Sequence, residues 1–246
     1  MGGKRFAVLL CAEDSEYVVK MYGGYFGVFV RMLAEEGETW DVYRVASGEF
    51  PEDDEIDTFD GFVITGICND AHGNDVWICK LLSLLKKLDS KKKKILDTMP
   101  CSGGEDWTRR SGWDIGITTI NFSAASKLSS SVKMPAVLSV KELPARAEGS
   151  RCSDVGTTSW ASQGHPEYTK DILFHLINRL LQRDFIVDSY ADEIKANVGG
   201  TEPDREAWKK LCINFLKGLR HGRNRASTFS RVDYGYKFLF SLRINK

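Results

Sequence analysis

Short apolar runs and helical stripes alternate along the first half of this chain. Arg5–Ala12 (RFAVLLCA) is a compact apolar run of strand length. Asp14-Ser15 follows as a candidate helix cap. Glu16–Glu36 then reads as a long helical segment, interrupted by Gly23-Gly24 and Gly27, where a break or close packing is expected. Trp40–Val45 alternates like a second strand, and Asp53–Thr58 is acidic and loop-like. Phe59–Thr65 is nearly all apolar, as a strand covered on both faces should be. Asp75 stands where a cap belongs for a helix through Leu88. Trp77, Ile78, Leu81, Leu82, Leu84, Leu85 and Leu88 give that helix a broad apolar face. Lys94–Leu96 opens a fourth strand.

This order predicts an α/β fold, a mostly parallel sheet in three layers with helices on both faces. Ligands of such folds sit beyond the C-terminal ends of the strands. Three places of interest fall there: Gly66, Asp97–Pro100 and His165. The second half is less regular. Asp114–Phe122 and Ala136–Val140 read as strands, and Thr169–Gln182 and Asp204–Leu219 as amphipathic helices. Asp97–Ser111, Gly149–Ser162 and the basic, aromatic tail Arg220–Lys246 carry no hydrophobic period and are expected to be the least regular parts. A main domain over 1–219 with a tail over 220–246 follows.

Composition narrows the function. At 246 residues the chain can bury a full core. Lysines plus arginines number 34 and acidic residues 34, so no global charge points to nucleic acid or an anionic membrane. The lysines at 86–87 and 91–94 suit the C-terminal end of a helix dipole and read as a solvated basic end. No apolar stretch is long enough to span a bilayer, and Phe6–Cys11 is too short for a signal-peptide core. Phe6 in place of Ser or Thr argues against N-myristoylation at Gly2. Cys11, Cys68, Cys79, Cys101, Cys152 and Cys212 show no C-x-x-C pair and no framework spacing. They read as reduced cytosolic thiols, not as a zinc site or a disulfide set.

Candidate chemistry concentrates in Gln163-Gly164-His165-Pro166-Glu167-Tyr168. Gly164 and Pro166 constrain the backbone, and Glu167 lies two residues from His165. A carboxylate that fixes an imidazole tautomer is what a nucleophile–His–acid triad requires. Gly66, after a buried strand, is a candidate backbone N–H for an oxyanion. Taken by itself it reads equally as a plain strand-end turn.

Several stretches carry a resemblance. They include Ser15–Val18, Tyr22–Tyr25, Val45–Pro51, Asp60–Gly66, Asn69–Ala71, Gly112–Phe122, Lys133–Val140, Gln163–Arg183 and Pro203–Gly218. Together they resemble the class I glutamine amidotransferases, and most closely the plant γ-glutamyl peptidases. The resemblance implies a three-layer, flavodoxin-like α/β fold with a Cys-His-Glu triad. It implies hydrolysis of γ-glutamyl bonds with glutathione conjugates as the small-molecule substrate, in the cytosol and without a cofactor, a metal, a nucleic acid or a membrane as partner. His165 and Glu167 match the family's general base and its carboxylate partner, and Gly66 its oxyanion-side glycine.

The chain also departs from that pattern. Where the family reads G-I-C-x-G-H-Q after the fourth strand, this chain reads Asp97-Thr98-Met99-Pro100-Cys101-Ser102-Gly103. Met99 stands at the nucleophile position, and a thioether forms no thioester. Cys101 comes two residues later, behind a proline that opposes the usual strand-to-helix elbow. After Val140 a C-H-x-D-E-V segment is missing, and Lys141 leads straight into Glu142-Leu143-Pro144. Read one base earlier with suitable synonymous codons, Ser150–Ser162 gives V-E-M-F-R-C-G-D-H-I-M-G-I. That is the family's pattern before Gln163, and it implies a reading-frame slip across Gly149–Ser162. The expectation is a family member whose catalysis is impaired. The alternatives are a non-catalytic binding homologue and the product of a damaged gene.

Overall fold

The computed structural model describes residues 3–66, 75–98, 113–121, 131–139, 152–154, 158–162 and 165–218. Strand β1 (Arg5–Leu9) lies between β2 (Thr39–Tyr43) and β3 (Gly61–Ile64), and β3 pairs on with β4 (Lys94–Asp97). β4 pairs in turn with β8 (Ser159–Ser162), and all of these neighbours run parallel. β7 (Cys152–Asp154) closes that side antiparallel to β8, for a sheet order β2-β1-β3-β4-β8-β7. β5 (Trp113–Asn121) and β6 (Ser131–Ser139) form a separate antiparallel pair.

Alternation along the strands sorts the core into two layers, because successive side chains of a strand point to opposite faces. Phe6, Val8 and Leu10 join Val63, Leu96 and Trp160 on one face. Helix α2 (Gly24–Leu33) covers them through Phe29 and Leu33, and helix α6 (Arg205–Lys217) through Trp208 and Leu216. Ala7, Leu9 and Cys11 join Phe62, Ile64 and Ile95 on the other, under Leu81, Leu84, Leu85 and Leu88 of helix α3 (Val76–Ser90). Burial on both faces explains why β1 and β3 are continuously apolar. Helices α4 (Lys170–Gln182) and α5 (Asp188–Gly200) pack together with Ile115 of β5 in a third cluster.

Several expectations are corrected. The break expected at Gly23-Gly24 is present, and it divides Glu16–Glu36 into two helices, α1 (Glu16–Tyr22) and α2, joined at Gly23, with α2 ending at Leu33. Gly23 has φ 78° and caps the first helix in the left-handed conformation that glycine adopts without steric cost. Ser15 caps α1 by accepting the Val18 N–H, whereas Asp14 accepts the Tyr25 N–H at the start of α2. The strand expected over Arg5–Ala12 ends at Leu9.

Gly149–Ser162, expected to be irregular, contains β7 and β8, and β8 is an interior strand of the sheet. Its Trp160 stacks on Trp208 of α6 with ring centroids 5.8 Å apart. One large apolar residue in four leaves no period to read; pairing with β4 and cover from α6 make the strand. Helix α5 has no counterpart among the expected elements, since its buried stripe is only Ala191, Ile194 and Val198. Met99–Ser111, the Val140 junction and the tail 220–246 lie outside the described residues. Among the described residues no helix is long and apolar enough to cross a membrane.

Candidate active site

The C-terminal ends of β1, β3, β4 and β8 meet on one rim of the sheet. Thr98, one residue past β4, donates both its N–H and its hydroxyl to the Ile64 carbonyl at 3.1 Å. The Thr65 hydroxyl accepts the Cys11 N–H at 3.0 Å. These bonds tie the three strand ends together beside the Gly66 backbone. A Cβ placed on Gly66 would stand 3.3 Å from His165 Cε1 and 3.8 Å from the Thr98 carbonyl oxygen. Gly66 and His165, far apart in the chain, are thus van der Waals neighbours, and glycine provides the clearance.

Four residues after β8 shape the rest. His165-Pro166-Glu167-Tyr168 is a β-turn closed by the Tyr168 N–H donating to the His165 carbonyl at 3.0 Å. Proline at the second position presets φ for such a turn. Thr169 then caps α4 by accepting the Ile172 N–H. Within the turn, His165 Nδ1 and Glu167 Oε1 are 2.9 Å apart. His165 is 7% exposed and Glu167 2%. An ionised carboxylate only accepts, so toward Glu167 it is Nδ1 that donates, and in the neutral imidazole Nε2 is then the acceptor. Glu167 Oε2 is buried without a hydrogen-bond partner among the described residues.

The turn is held from outside by contacts the local sequence does not reveal. Tyr168 stacks on the His165 ring, and Tyr25 of α2 packs on Tyr168 with centroids 5.8 Å apart. Asp171, in the first turn of α4, accepts the hydroxyls of Tyr17 at 2.8 Å and Tyr22 at 2.6 Å. Burial pushes the Asp171 carboxyl up, but hydrogen bonds from Thr169, Tyr22 and Tyr17 outweigh it and hold the group below the usual range. Thr98 falls within the Asp97–Pro100 stretch that the sequence singles out, whereas the supporting roles of Tyr17, Tyr22, Tyr25 and Asp171 behind the turn are not read from sequence. The one local signal for this surround is Tyr168 inside the hexapeptide.

Among the described residues, Cys11 is the thiol at this rim. It is buried, and desolvation, followed by the nearby Asp97 charge, pushes it far above the ordinary range of a thiol. A neutral buried thiol is a poor nucleophile. Met99 and Cys101 lie outside the described residues. Among the described residues no group of three or more His, Cys, Asp or Glu could hold a metal ion.

The chain is 41% identical over 243 residues to γ-glutamyl peptidase 5 of Arabidopsis thaliana, covering 87% of this chain and 96% of that protein. The chain belongs to the γ-glutamyl peptidase family. It is 40% identical over 244 residues to γ-glutamyl peptidase 3 of the same plant, with 87% and 97% covered. No family model matches it. Among solved structures it is similar to a glutamine amidotransferase of Thermotoga maritima, with TM-score 0.59, 14% identity, and 87% and 97% of the two chains covered. A glutamine amidotransferase of Methylobacillus flagellatus gives 0.55, 11%, and 92% and 99%. At those identities the likeness is one of fold, and this γ-glutamyl peptidase relative has the class I glutamine amidotransferase-like α/β fold.

Proposed function

We propose that this chain is built to act on the γ-glutamyl bond, with His165 as general base, Glu167 as the carboxylate that orients it, and Gly66 on the oxyanion side. One observation carries the reading. A buried His–Glu pair with Nδ1 and Oε1 2.9 Å apart stands against Gly66, beyond the C-terminal ends of parallel strands. The chain around it is 41% identical to a γ-glutamyl peptidase. Glutathione conjugates are the substrate class we assign, and the cytosol the compartment.

Chemistry at such a pair also needs a thiolate within reach of Nε2. In the order of residues Met99 takes the position that the resemblance gives to the nucleophile, and we infer that turnover is impaired for this reason. Loss of a triad nucleophile costs on the order of a million-fold in turnover. The intact His165–Glu167 pair fits a second reading as well, a homologue that binds γ-glutamyl compounds without cleaving them.

The test is turnover of glutathione and a γ-glutamyl anilide by the purified full chain, beside Cys101→Ala and His165→Gln. Turnover close to the uncatalysed rate in all three is expected. Robust turnover abolished by Cys101→Ala would make Cys101 the nucleophile and overturn the loss. Turnover that survives both substitutions would overturn the triad. Calorimetric binding of an S-alkyl glutathione without cleavage would favour the second reading.

A further inference from the structure

We propose that Tyr168 is a positioning residue for the His165 imidazole, holding the plane of the ring while Glu167 holds its Nδ1 edge. This rests on the reading of His165 as general base. Among the described residues three contacts surround the imidazole, each on a different part of the ring. Nδ1 meets Glu167 Oε1 at 2.9 Å. Cε1 faces the bare Cα of Gly66, where a Cβ would come within 3.3 Å. The ring face lies on the Tyr168 ring with centroids 4.2 Å apart and planes only 4° from parallel.

An imidazole turns about its Cβ–Cγ bond, and a single hydrogen bond at Nδ1 holds one edge of the ring while leaving play in that rotation. Face stacking removes that freedom, and with it the spread in the direction of Nε2. The turn supplies the arrangement locally. Its closing bond, from the Tyr168 N–H to the His165 carbonyl, sets the two side chains beside each other. Tyr168 is itself held in a buried cluster with Val18, Val28 and Ile172, against which Tyr25 packs. The plane of the base is therefore referred to α1, α2 and α4, not only to its own loop. Preorganising a base in this way is worth much in rate, because small displacements of a reacting group are costly.

The experiment reads the ring directly and needs no turnover. Full-length chain labelled with 13C and 15N in its histidines is followed by long-range 1H–15N and 1H–13C NMR, with His165 assigned by its loss in His165→Gln. In the wild-type chain the His165 Hε1 signal should move upfield of its position in the urea-unfolded chain, since it lies over an aromatic face. Its Nδ1 should carry the proton as a single tautomer. Tyr168→Phe should keep both features. Tyr168→Leu, shown to be folded by far-UV circular dichroism, should lose the upfield displacement and give an Hε1 signal broadened by exchange among ring orientations, while Glu167 still holds the proton on Nδ1. A single sharp Hε1 signal in Tyr168→Leu would overturn the proposal, as would absence of the upfield displacement in the wild-type chain. If Tyr168→Leu does not fold, Tyr168→Met, which keeps bulk without a ring, takes its place with the same expected and overturning results. Failure of the general-base reading would show instead in the turnover of His165→Gln.

Discussion

At the scale of single residues, the sites that tolerate least are those where backbone approaches backbone. A Cβ on Gly27 would stand 1.8 Å from the Tyr22 carbonyl oxygen, and neither backbone can yield cheaply. Gly199 is the opposite case, exposed near the end of α5 with open space where a methyl group would stand. Gly27→Ala should therefore cost about 1–3 kcal/mol through overpacking, while Gly199→Ala should gain up to about 1 kcal/mol from helix propensity. Thermal unfolding checks both, at about 2–4 °C per kcal/mol for a chain of this size. Shifts of the same sign would contradict the packing at Gly27. At His165 the same logic of close approach acts between a side chain and Gly66.

At the scale of elements, the docking of α1 onto α4 turns on Asp171. The hydrogen bond to Asp171 is the largest cause that pushes the Tyr17 phenol up to about 12; burial adds to it. Burial first, then Asp171, raises Tyr22. A raised phenol contributes stability below its ordinary value of 10.0, lost as pH rises through the folded value of about 12. Asp171 is lowered, so its contribution is present above its ordinary 3.8 and is lost as pH falls through the folded value. Asp171→Asn should bring the Tyr17 ionisation back toward its ordinary 10.0, read by ultraviolet difference absorption on alkaline titration. It should also cost roughly 1–3 kcal/mol, as hydrogen bonds to a charged group do. An unchanged tyrosine titration would show that the two helices dock without this carboxylate.

At the scale of the whole molecule, Lys217 closes the fold on the α2–α6 side. It lies in the last turn of α6 with its side chain 1% exposed. Its ammonium donates to the Leu33 carbonyl at 2.7 Å, Glu35 at 3.0 Å and Glu38 at 2.9 Å, so all three protons are used. The end of α6 is thereby tied to the end of α2 and the approach to β2. Lys217→Met leaves the Glu38 carboxylate without its cation, with only the Glu35 N–H and the Trp40 indole donating to it, and should cost about 3–5 kcal/mol. Burial pushes the Glu38 carboxyl up, yet the bonds from Lys217, the Glu35 N–H and the Trp40 indole hold it below its ordinary 4.5. Its contribution is complete above 4.5 and is lost as pH falls through the lower folded value. Urea unfolding across the acid range, from about pH 3 to about pH 6, should show this loss in the wild-type chain and a flatter profile in Lys217→Met. Equal acid slopes would place the acid sensitivity elsewhere.

Much of the framework was legible in the order of residues. β1 and β3 announce themselves because a strand buried on both faces must be apolar throughout. α3, α4 and α6 do so because a helix on a sheet needs a stripe. The hexapeptide at 163–168 predicted a His with a carboxylate nearby, since a two-residue spacing across a proline turn leaves few other arrangements. Other features depend on distant partners. β8 is a strand because β4 offers it a free edge and Trp208 covers Trp160, neither of which its four residues encode. α5 carries too small a stripe to stand out until α4 and β5 bury it. Gly66 was ambiguous as a lone strand-end glycine, and contact with His165 decides its place. The imidazole's partners divide the same way. Glu167 is set by local spacing, whereas the packing behind Tyr168 comes from α1 and α2, far earlier in the chain, which only the folded sheet brings to the same rim.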